Sequence, residues 1–159
     1  MTLGLRVVRQ SHWYREAWLT RKPDIPSTAL LDVLDEKSTA ISIWIIEKDL
    51  SNFERVVAAL AANRDRVSNF DYALFDMRVL RFLRIQSKPE AGNTPDAIVN
   101  QKYHANLTEM TAAKTFCLAQ AMHRYGEPVR IGQKVIAQYI RNAIASNTLD
   151  RQKIRVQIA

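Results

Sequence analysis

The sequence SNFERVVAALAA at residues 51–62 decides the fold, because it is the clearest helical pattern in the chain. Its larger apolar side chains recur at helical spacing and form one stripe: Phe53, Val56, Val57, Leu60 and Ala61. The remaining alanines are small and favour a helix, so another element can pack closely against them. Ser51 and Glu54 have the spacing of a capping box. We therefore predict a helix over roughly 51–65, beginning at Ser51.

The residues before this helix have the pattern of a sheet. Leu3, Leu5 and Val7 alternate with polar or small residues, as in a half-buried strand. We expect Ala29–Leu34 and Thr39–Ile46 to form a hairpin whose turn lies at 35–38. The aromatic residues within 12–20 are of types that favour a strand, but their spacing favours a helix. The sequence therefore leaves the secondary structure of this stretch undecided.

Downstream of the helix, the pattern predicts further helices. A second helix is expected to begin near Ser68 and to continue to Leu83, with apolar side chains on more than one side. Residues 86–95 hold proline, glycine and asparagine and are expected to form a loop. Residues 95–125 form either one long helix or two, and a capping pattern at 106–109 favours a break near His104–Asn106. Another amphipathic helix is expected over 132–146.

The chain is expected to close with a strand at 153–158, because Ile154, Val156 and Ile158 alternate with polar residues. The resulting fold class is α+β: an N-terminal antiparallel sheet followed by four or five helices, with the last strand returning to the sheet. The length of 159 residues predicts one domain. Within it, 1–48 is the strand-rich part and 49–148 the helical part.

Composition excludes several classes of protein. Hydrophobic residues make up 47% and charged residues 25% of the chain, which is typical of a folded protein. The longest apolar run, 43–46, is far shorter than the roughly 20 residues of a spanning helix, and the first residues lack the apolar core of a signal peptide. Cys117 is the only cysteine, so no intrachain disulfide can form. We expect a soluble, cytoplasmic protein that has no contact with a membrane.

The distribution of charge is the strongest functional signal. Of the net charge of +7, residues 1–23 carry +4, residues 24–120 carry −2 and residues 121–159 carry +5. If the two ends meet in space, they form one basic face that suits an anionic partner, although a solvated surface explains the same charges. The candidate binding residues are Arg6, Arg9, Arg130, Lys134, Arg141, Arg151, Lys153 and Arg155.

No pattern in the sequence predicts a catalytic residue, a resident metal or a cofactor. His12, His104 and His123 are too widely spaced for two of them to share one helix face as ligands. Cys117 lies between apolar residues, which is more typical of a buried, inert thiol than of a nucleophile. The chain has four glycines, too few for a glycine-rich phosphate loop, so dinucleotide-binding and P-loop enzymes are not expected.

A metal-dependent nuclease is the alternative to a binding protein. Pro23-Asp24 followed by Asp35-Glu36-Lys37 fits a loose pattern in which two carboxylates hold a divalent cation and a lysine steadies the attacking water. The setting argues against it, because the acid-x-lysine element should lie on a strand and here falls on the expected turn.

Two helical patterns suggest nucleic-acid binding. Arg78, Arg81 and Arg84 recur every three residues, with Lys88 beyond them, and such a row can follow a phosphate backbone or simply edge an apolar helix. The expected helices at 107–124 and 132–145 resemble a helix-turn-helix in order. Their connection, 125–131, is about twice the usual 3–4 residues, so an ordinary antiparallel helix pair is favoured.

These observations lead to one functional hypothesis. The chain is expected to be a non-catalytic binding or adaptor subunit whose basic face contacts a protein partner, and which can also meet nucleic acid, within a larger assembly. The sequence leaves its oligomeric state open.

Overall fold

The structure is a computed structural model that describes residues 2–13, 25–33, 40–125 and 128–157. Across these residues, six antiparallel strands form one sheet in the order β4-β5-β2-β1-β3-β6. The strands are β1 Leu3–Val7, β2 Ile41–Ile46, β3 Phe70–Asp76, β4 Gln86–Pro89, β5 His104–Thr108 and β6 Val129–Ile131. The α+β class is thus confirmed, whereas the expected order of sheet first and helices afterwards is only roughly matched.

Helices cover both faces of the sheet and make a three-layer sandwich. Those described are α1 Ser27–Val33, α2 Phe53–Ala62, α3 Arg78–Phe82, α4 Ala97–Lys102, α5 Ala112–Tyr125 and α6 Gln133–Ala145. One apolar core lies between the sheet and the layer of α2, α4 and α6. The other lies between the sheet and the layer of α1, α3 and α5.

Strand β1 forms the centre of the sheet, hydrogen-bonded to β2 on one side and to β3 on the other. Leu5 lies opposite Trp44 in β2 and Leu74 in β3, and all three face the core under α2. The alternate positions of the neighbouring strands, such as Ile43 and Phe75, face the second core. Because both faces are buried, these strands are apolar on both sides, as in sheets covered twice.

Helix α2 is enclosed on nearly every side. Its residues 56–59 have no exposed surface. Among the other helices, α6 packs against it most extensively. The segment after α6 then lies across its end, where the amide of Arg155 donates to the carbonyl of Ala62 at 3.0 Å. On the α4 side, Arg55 binds Asp96 through two hydrogen bonds of 2.6 and 3.0 Å. The alanines keep α2 narrow enough for all these neighbours.

Residue Asp96 joins α4 to this arrangement. It is fully buried, and its carboxylate caps α4 by accepting from the amides of Ile98 and Val99 at 2.9 and 3.1 Å. Arg55 neutralises its charge. The helix start expected near residue 95 is therefore correct, and Asp96 is its cap.

The predicted capping box at Ser51 is wrong. Helix α2 begins two residues later, at Phe53, and the Ser51 hydroxyl donates to Glu47 at 2.6 Å. Asn52 uses its side chain to bind the amide of Glu47 and the carbonyl of Ile45, at 2.9 Å each. The polar residues before the helix thus fasten it to the end of β2 instead of capping it.

The predicted hairpin is wrong in its first half. Residues 27–33 form α1, in which Ala29 and Val33, four residues apart, are both fully buried. The second half is confirmed as β2. The expected turn at 35–38 lies outside the described residues. Residues 10–13 form a short 3₁₀ helix, and the rest of 12–20 is likewise not described.

The prediction of a helix over 68–83 is wrong as well. Residues 70–76 form β3, with Phe70 buried under α2 and Phe75 buried on the opposite face. A strand covered on both faces has apolar residues on more than one side, which is also the pattern of a buried helix. Only the short α3 is helical there.

Three further strands were missed: β4, β5 and β6, the last of which lies within the expected connection 125–131. The expected loop at 86–95 begins with β4, an exposed polar edge strand that ends at Pro89, a position that suits the edge of a sheet. The expected break near His104–Asn106 is a complete strand, β5, so the pattern at 106–109 starts no helix. The predictions for 132–146 and for a helix end near residue 125 are confirmed by α6 and α5.

The final strand was also not found in the sheet. Residues 151–153 form a 3₁₀ turn, and Val156 is buried against the α2 layer. Gln157 makes an isolated parallel bridge with Arg66, beyond the end of α2. Residues 158–159 lie outside the described part of the chain.

We expect the substitution Ala59→Leu to destabilise the protein by about 1–3 kcal/mol, because it adds bulk to the fully enclosed side of α2. Ala113→Leu, on the exposed first turn of α5, is the matched control and should change the unfolding free energy by less than about 0.5 kcal/mol. Urea unfolding measures both. Equal stability of the two variants would contradict the packing described for α2.

Candidate functional site

The carboxylate of Asp71, at the start of β3, joins distant parts of the chain. The Arg130 guanidinium on β6 donates to its two oxygens at 2.7 and 2.8 Å. The amide of Gln10, just after β1, donates to the same carboxylate at 2.9 Å. The Gln10 side chain continues the link by donating to the carbonyl of Pro128 at 3.1 Å. One residue from each basic segment, Gln10 and Arg130, therefore binds Asp71.

The electrostatics of this point follow from its donors. The hydrogen bonds from Arg130 lower the pKa of Asp71, and the Gln10 amide and the charges of Arg130 and Arg64 lower it further. Arg64 lies over the ring of Phe70, 4.7 Å from its centroid, and donates to the carbonyl of Asn69 at 3.0 Å. Burial lowers the pKa of the Arg64 guanidinium, an effect that the charge of Asp71 partly offsets.

Hydrogen bonds to two carboxylates hold the backbone at the exposed Arg9 in place. Its amide donates to Asp32 at 3.0 Å, while the next amide, of Gln10, donates to Asp71. Asp32 also accepts from the Trp13 indole at 2.8 Å and contacts the His12 ring nitrogen at 3.1 Å. Two carboxylates thus fix consecutive residues, so that the backbone of Arg9 has one defined position.

Further cations lie around the same end of the sandwich. Lys134 is exposed on the first turn of α6, where the amide of Gln133 donates to the side chain of Asn69 at 3.0 Å. Arg66 and Arg155 are exposed beyond the end of α2. We call this region the basic end and define it as Arg9, Arg64, Arg66, Arg130, Lys134 and Arg155. Asp65 and Asp71 are its acidic residues.

Four of the eight predicted binding residues belong to the basic end: Arg9, Arg130, Lys134 and Arg155. Arg6 is only partly exposed and donates to the carbonyls of Asp32 and Ser42 at 3.0 and 2.8 Å, so part of its hydrogen-bonding capacity is used within the fold. Arg141 is exposed later in α6 and contacts Gln138. Arg151 and Lys153 are exposed on the turn after α6, where Lys153 pairs with Asp150.

Sequence reasoning missed Arg64 and Arg66. Both lie in the central segment, whose net charge is slightly negative, so a count by segment hides them. Their position just after the end of α2 is the signal that could have indicated them, because a chain that leaves a helix at the edge of a sheet is exposed. Asp71 gave no signal, since its donors are 59 and 61 residues away.

The pair of His12 and Asp32 is the second feature that the sequence did not indicate. Asp32 is nearly buried, and its contact with His12 orients the imidazole as an acid–base pair would. Its other donors, the Arg9 amide and the Trp13 indole, come from the same short segment. These contacts attach residues 9–13 to α1 through Asp32.

The residues of the nuclease alternative, Asp24, Asp35 and Lys37, lie outside the described part of the chain. Within the described residues, no group of three or more histidine, cysteine, aspartate or glutamate side chains is arranged to hold a metal ion. His104 is buried, and its ring nitrogen contacts the carbonyl of Glu90 at 2.8 Å. Cys117 is half-buried on α5, more exposed than the expected inert thiol.

Neither helical pattern for nucleic-acid binding is formed. Arg78 and Arg81 lie on α3, but Arg84 has a positive φ of 52° after that helix and Lys88 lies on β4, so no continuous helical row exists. Helices α5 and α6 belong to opposite layers of the sandwich, with β6 between them in sequence. They form neither a helix-turn-helix nor the antiparallel pair that was favoured.

The chain matches no protein-family model, no curated protein and no solved structure. In the described residues, none of the helices combines the length and the apolar character needed to cross a membrane.

We expect Asp71→Asn to lower the unfolding free energy by about 1–2 kcal/mol at neutral pH, since it removes a charged hydrogen-bond acceptor whose partner Arg130 is partly exposed. The pKa of Asp71 is lowered in the folded protein. Its stabilisation is therefore complete above the ordinary aspartate pKa of about 3.9 and is lost as the pH falls below that value.

Urea unfolding at several pH values measures the difference between parent and variant. Asp65→Asn is the control, because Asp65 is an exposed carboxylate in the same region. A difference between the parent and Asp71→Asn that does not decline in acid would contradict the role given to the charge of Asp71.

Proposed function

We propose that this chain is a non-catalytic binding subunit of a larger assembly, and that its basic end contacts an anionic partner. The observation that carries the proposal is the meeting of both basic segments at Asp71, where Gln10 and Arg130 bind the same carboxylate. Arg9 is next to Gln10 in the sequence and Lys134 follows β6 closely, so exposed cations from both segments lie near this carboxylate. Clustered cations raise the local concentration of an anionic partner and its rate of association.

The backbone of the basic end is held rigidly, which favours a binding role for its cations over the role of a merely solvated surface. Its backbone is fixed by hydrogen bonds that converge on Asp71, on Asn69 and on the carbonyl of Ala62. Arg9, Lys134 and Arg155 therefore extend from a rigid base, which reduces the ordering that a partner must impose on binding. Arg130 is paired with Asp71, so it contributes mainly to positioning.

The partner that we favour is an acidic protein surface, and nucleic acid is the second candidate. A protein partner needs only scattered carboxylates, whereas a duplex presents one charge per about 1.7 Å along its axis and favours a longer row of cations. The described cations surround the end of a sandwich and do not form such a row. The single cysteine of the sequence agrees with a reducing, cytoplasmic setting for this assembly.

A salt titration with defined probes tests the proposal. Labelled polyglutamate, single-stranded DNA and duplex DNA are titrated with the protein at about 50 and 200 mM salt. We expect binding at low salt, strongest for polyglutamate. The double substitution Arg9→Glu/Lys134→Glu should weaken it about tenfold or more, since each change reverses a charge.

The matched control is Lys88→Glu/Lys102→Glu, which makes the same change in net charge at two exposed lysines of β4 and α4 that are not part of the basic end. It should leave affinity within about twofold of the parent. Failure of the parent to bind any of the three probes at low salt would sink the proposal, and so would equal weakening by the control. Tighter binding of DNA than of polyglutamate would make nucleic acid the favoured partner in place of an acidic protein surface.

The metal-dependent nuclease alternative is tested separately. If the chain is a binding subunit, incubation with Mg²⁺ or Mn²⁺ should leave single- and double-stranded DNA uncleaved. Asp35→Asn should then leave stability and probe binding within about 0.5 kcal/mol of the parent, the usual result for a residue without a functional role. Metal-dependent cleavage that is lost in Asp35→Asn would promote the nuclease.

A further inference from the structure

Helix α3 presents the most exposed large apolar side chain of the described residues. Phe82 is 83% exposed, although a phenylalanine is normally among the most buried residues. Leu80, on the inner side of the same helix, is buried in the core and fixes the helix to the sheet. Exposure of Phe82 therefore follows from a fixed orientation of α3.

Two cavities that are open to solvent lie beside the outer surface of α3. One, of about 410 Å³, is lined by Met77, Arg78, Arg81 and Phe82. The other, of about 370 Å³, lies between α3 and α5 and is lined mainly by Val79, Leu83, Cys117, Ala121, Arg124 and Tyr125. Phe82 lines the first cavity, and its neighbours on α3, Val79 and Leu83, line the second. We call this surface the α3 groove.

The charges at the α3 groove are mainly positive. Arg81 lines one cavity and Arg124 the other, and both are exposed. The acidic residue that lines the groove, Asp76, is bound by the Arg78 guanidinium at 2.8 Å and by its amide at 2.9 Å. An apolar strip between two exposed arginines complements a partner that has an apolar stripe and acidic flanks.

Helix α3 is well secured for such contacts. Asp76 holds its first turn through Arg78, and the amide of Ile85 donates to the carbonyl of Leu80 at 2.9 Å to close the turn behind it. An exposed aromatic side chain on a fixed helix, beside an open cavity, resembles the aromatic residues that dominate many protein interfaces.

We propose that the α3 groove binds an amphipathic helix with acidic flanks from a protein partner. Apolar side chains at positions i, i+3 and i+4 of that helix enter the two cavities and enclose Phe82 between them. Aspartate or glutamate at the edges of its apolar stripe pairs with Arg81 and Arg124. This site goes beyond the proposed basic end, because the groove lies where β3 ends and the basic end lies where it begins.

The test uses a synthetic helix of about 18 residues with leucines on one face and glutamates at the edges of that face. Fluorescence anisotropy measures its binding to the full chain. We expect binding that Phe82→Glu weakens at least about tenfold and that Arg124→Glu weakens about threefold or more. Because Phe82 is exposed, its substitution should leave the folded protein intact, which circular dichroism checks.

Ile98→Glu is the matched control, since Ile98 is an exposed apolar residue on α4, in the other layer. It should bind the acidic helix like the parent. A lysine version of the helix and a scrambled version that lacks the apolar face should both bind at least about tenfold more weakly.

Three results would overturn the proposal: no binding of the acidic helix, unchanged binding by Phe82→Glu, or equal binding of the scrambled helix. Vesicles with anionic lipid that compete at the groove would assign it to a membrane surface instead. Sedimentation that shows a dimer, broken by Phe82→Glu, would assign the groove to a second copy of this chain. The acidic helix also meets the cations of the basic end, so each measurement is repeated in the Arg9→Glu/Lys134→Glu background. Binding that remains in this background and is lost on adding Phe82→Glu belongs to the groove, so failure of one proposal can be told from failure of the other.

Discussion

The close enclosure of α2 is the constraint on which the rest of the structure depends. The helix lies on the sheet, beside α6 and α4, and under the segment that returns from α6. Residues larger than alanine at its enclosed positions would separate these neighbours, because protein interiors have few voids to absorb added volume. Arg55 completes the arrangement, since Asp96 would otherwise be a buried charge without a partner. Near one end of the described chain β1 pairs with β3, and near the other Gln157 bridges Arg66 beyond the end of α2.

The sequence was a good guide where one periodicity dominated. Helices α2 and α6 and strands β1 and β2 were predicted because their apolar residues follow one clear spacing. It failed at β3, whose residues are apolar on both sides because helices cover both faces of the sheet. It failed at β4 for the opposite reason: a polar edge strand has no apolar pattern and is recognised only through its pairing with β5.

The candidate site was predictable in outline and not in detail. Segment charges drew attention to both ends of the chain, yet charge alone gives no positions in space. The antiparallel pairing of β6 with β3 brings Arg130 opposite Asp71, and the exit of β1 brings Gln10 to the same carboxylate. Such contacts join residues about 60 positions apart, beyond the reach of any local pattern. The exposure of Arg6 was equally beyond a local pattern, because the fold turns this residue partly inward.

The two proposed surfaces are physically separable because β3 lies between them. Asp71 orders the basic end and Asp76 orders the start of α3, and five residues of an extended strand span about 17 Å at roughly 3.4 Å per residue. Charges in water at physiological salt are screened over about 8 Å, so the cations of the basic end contribute little attraction at the α3 groove. Rigid connection with weak electrostatic coupling allows each surface to hold its own partner without altering the other. That combination suits an adaptor, which must fix the distance between two bound proteins more than it must transmit a change between them.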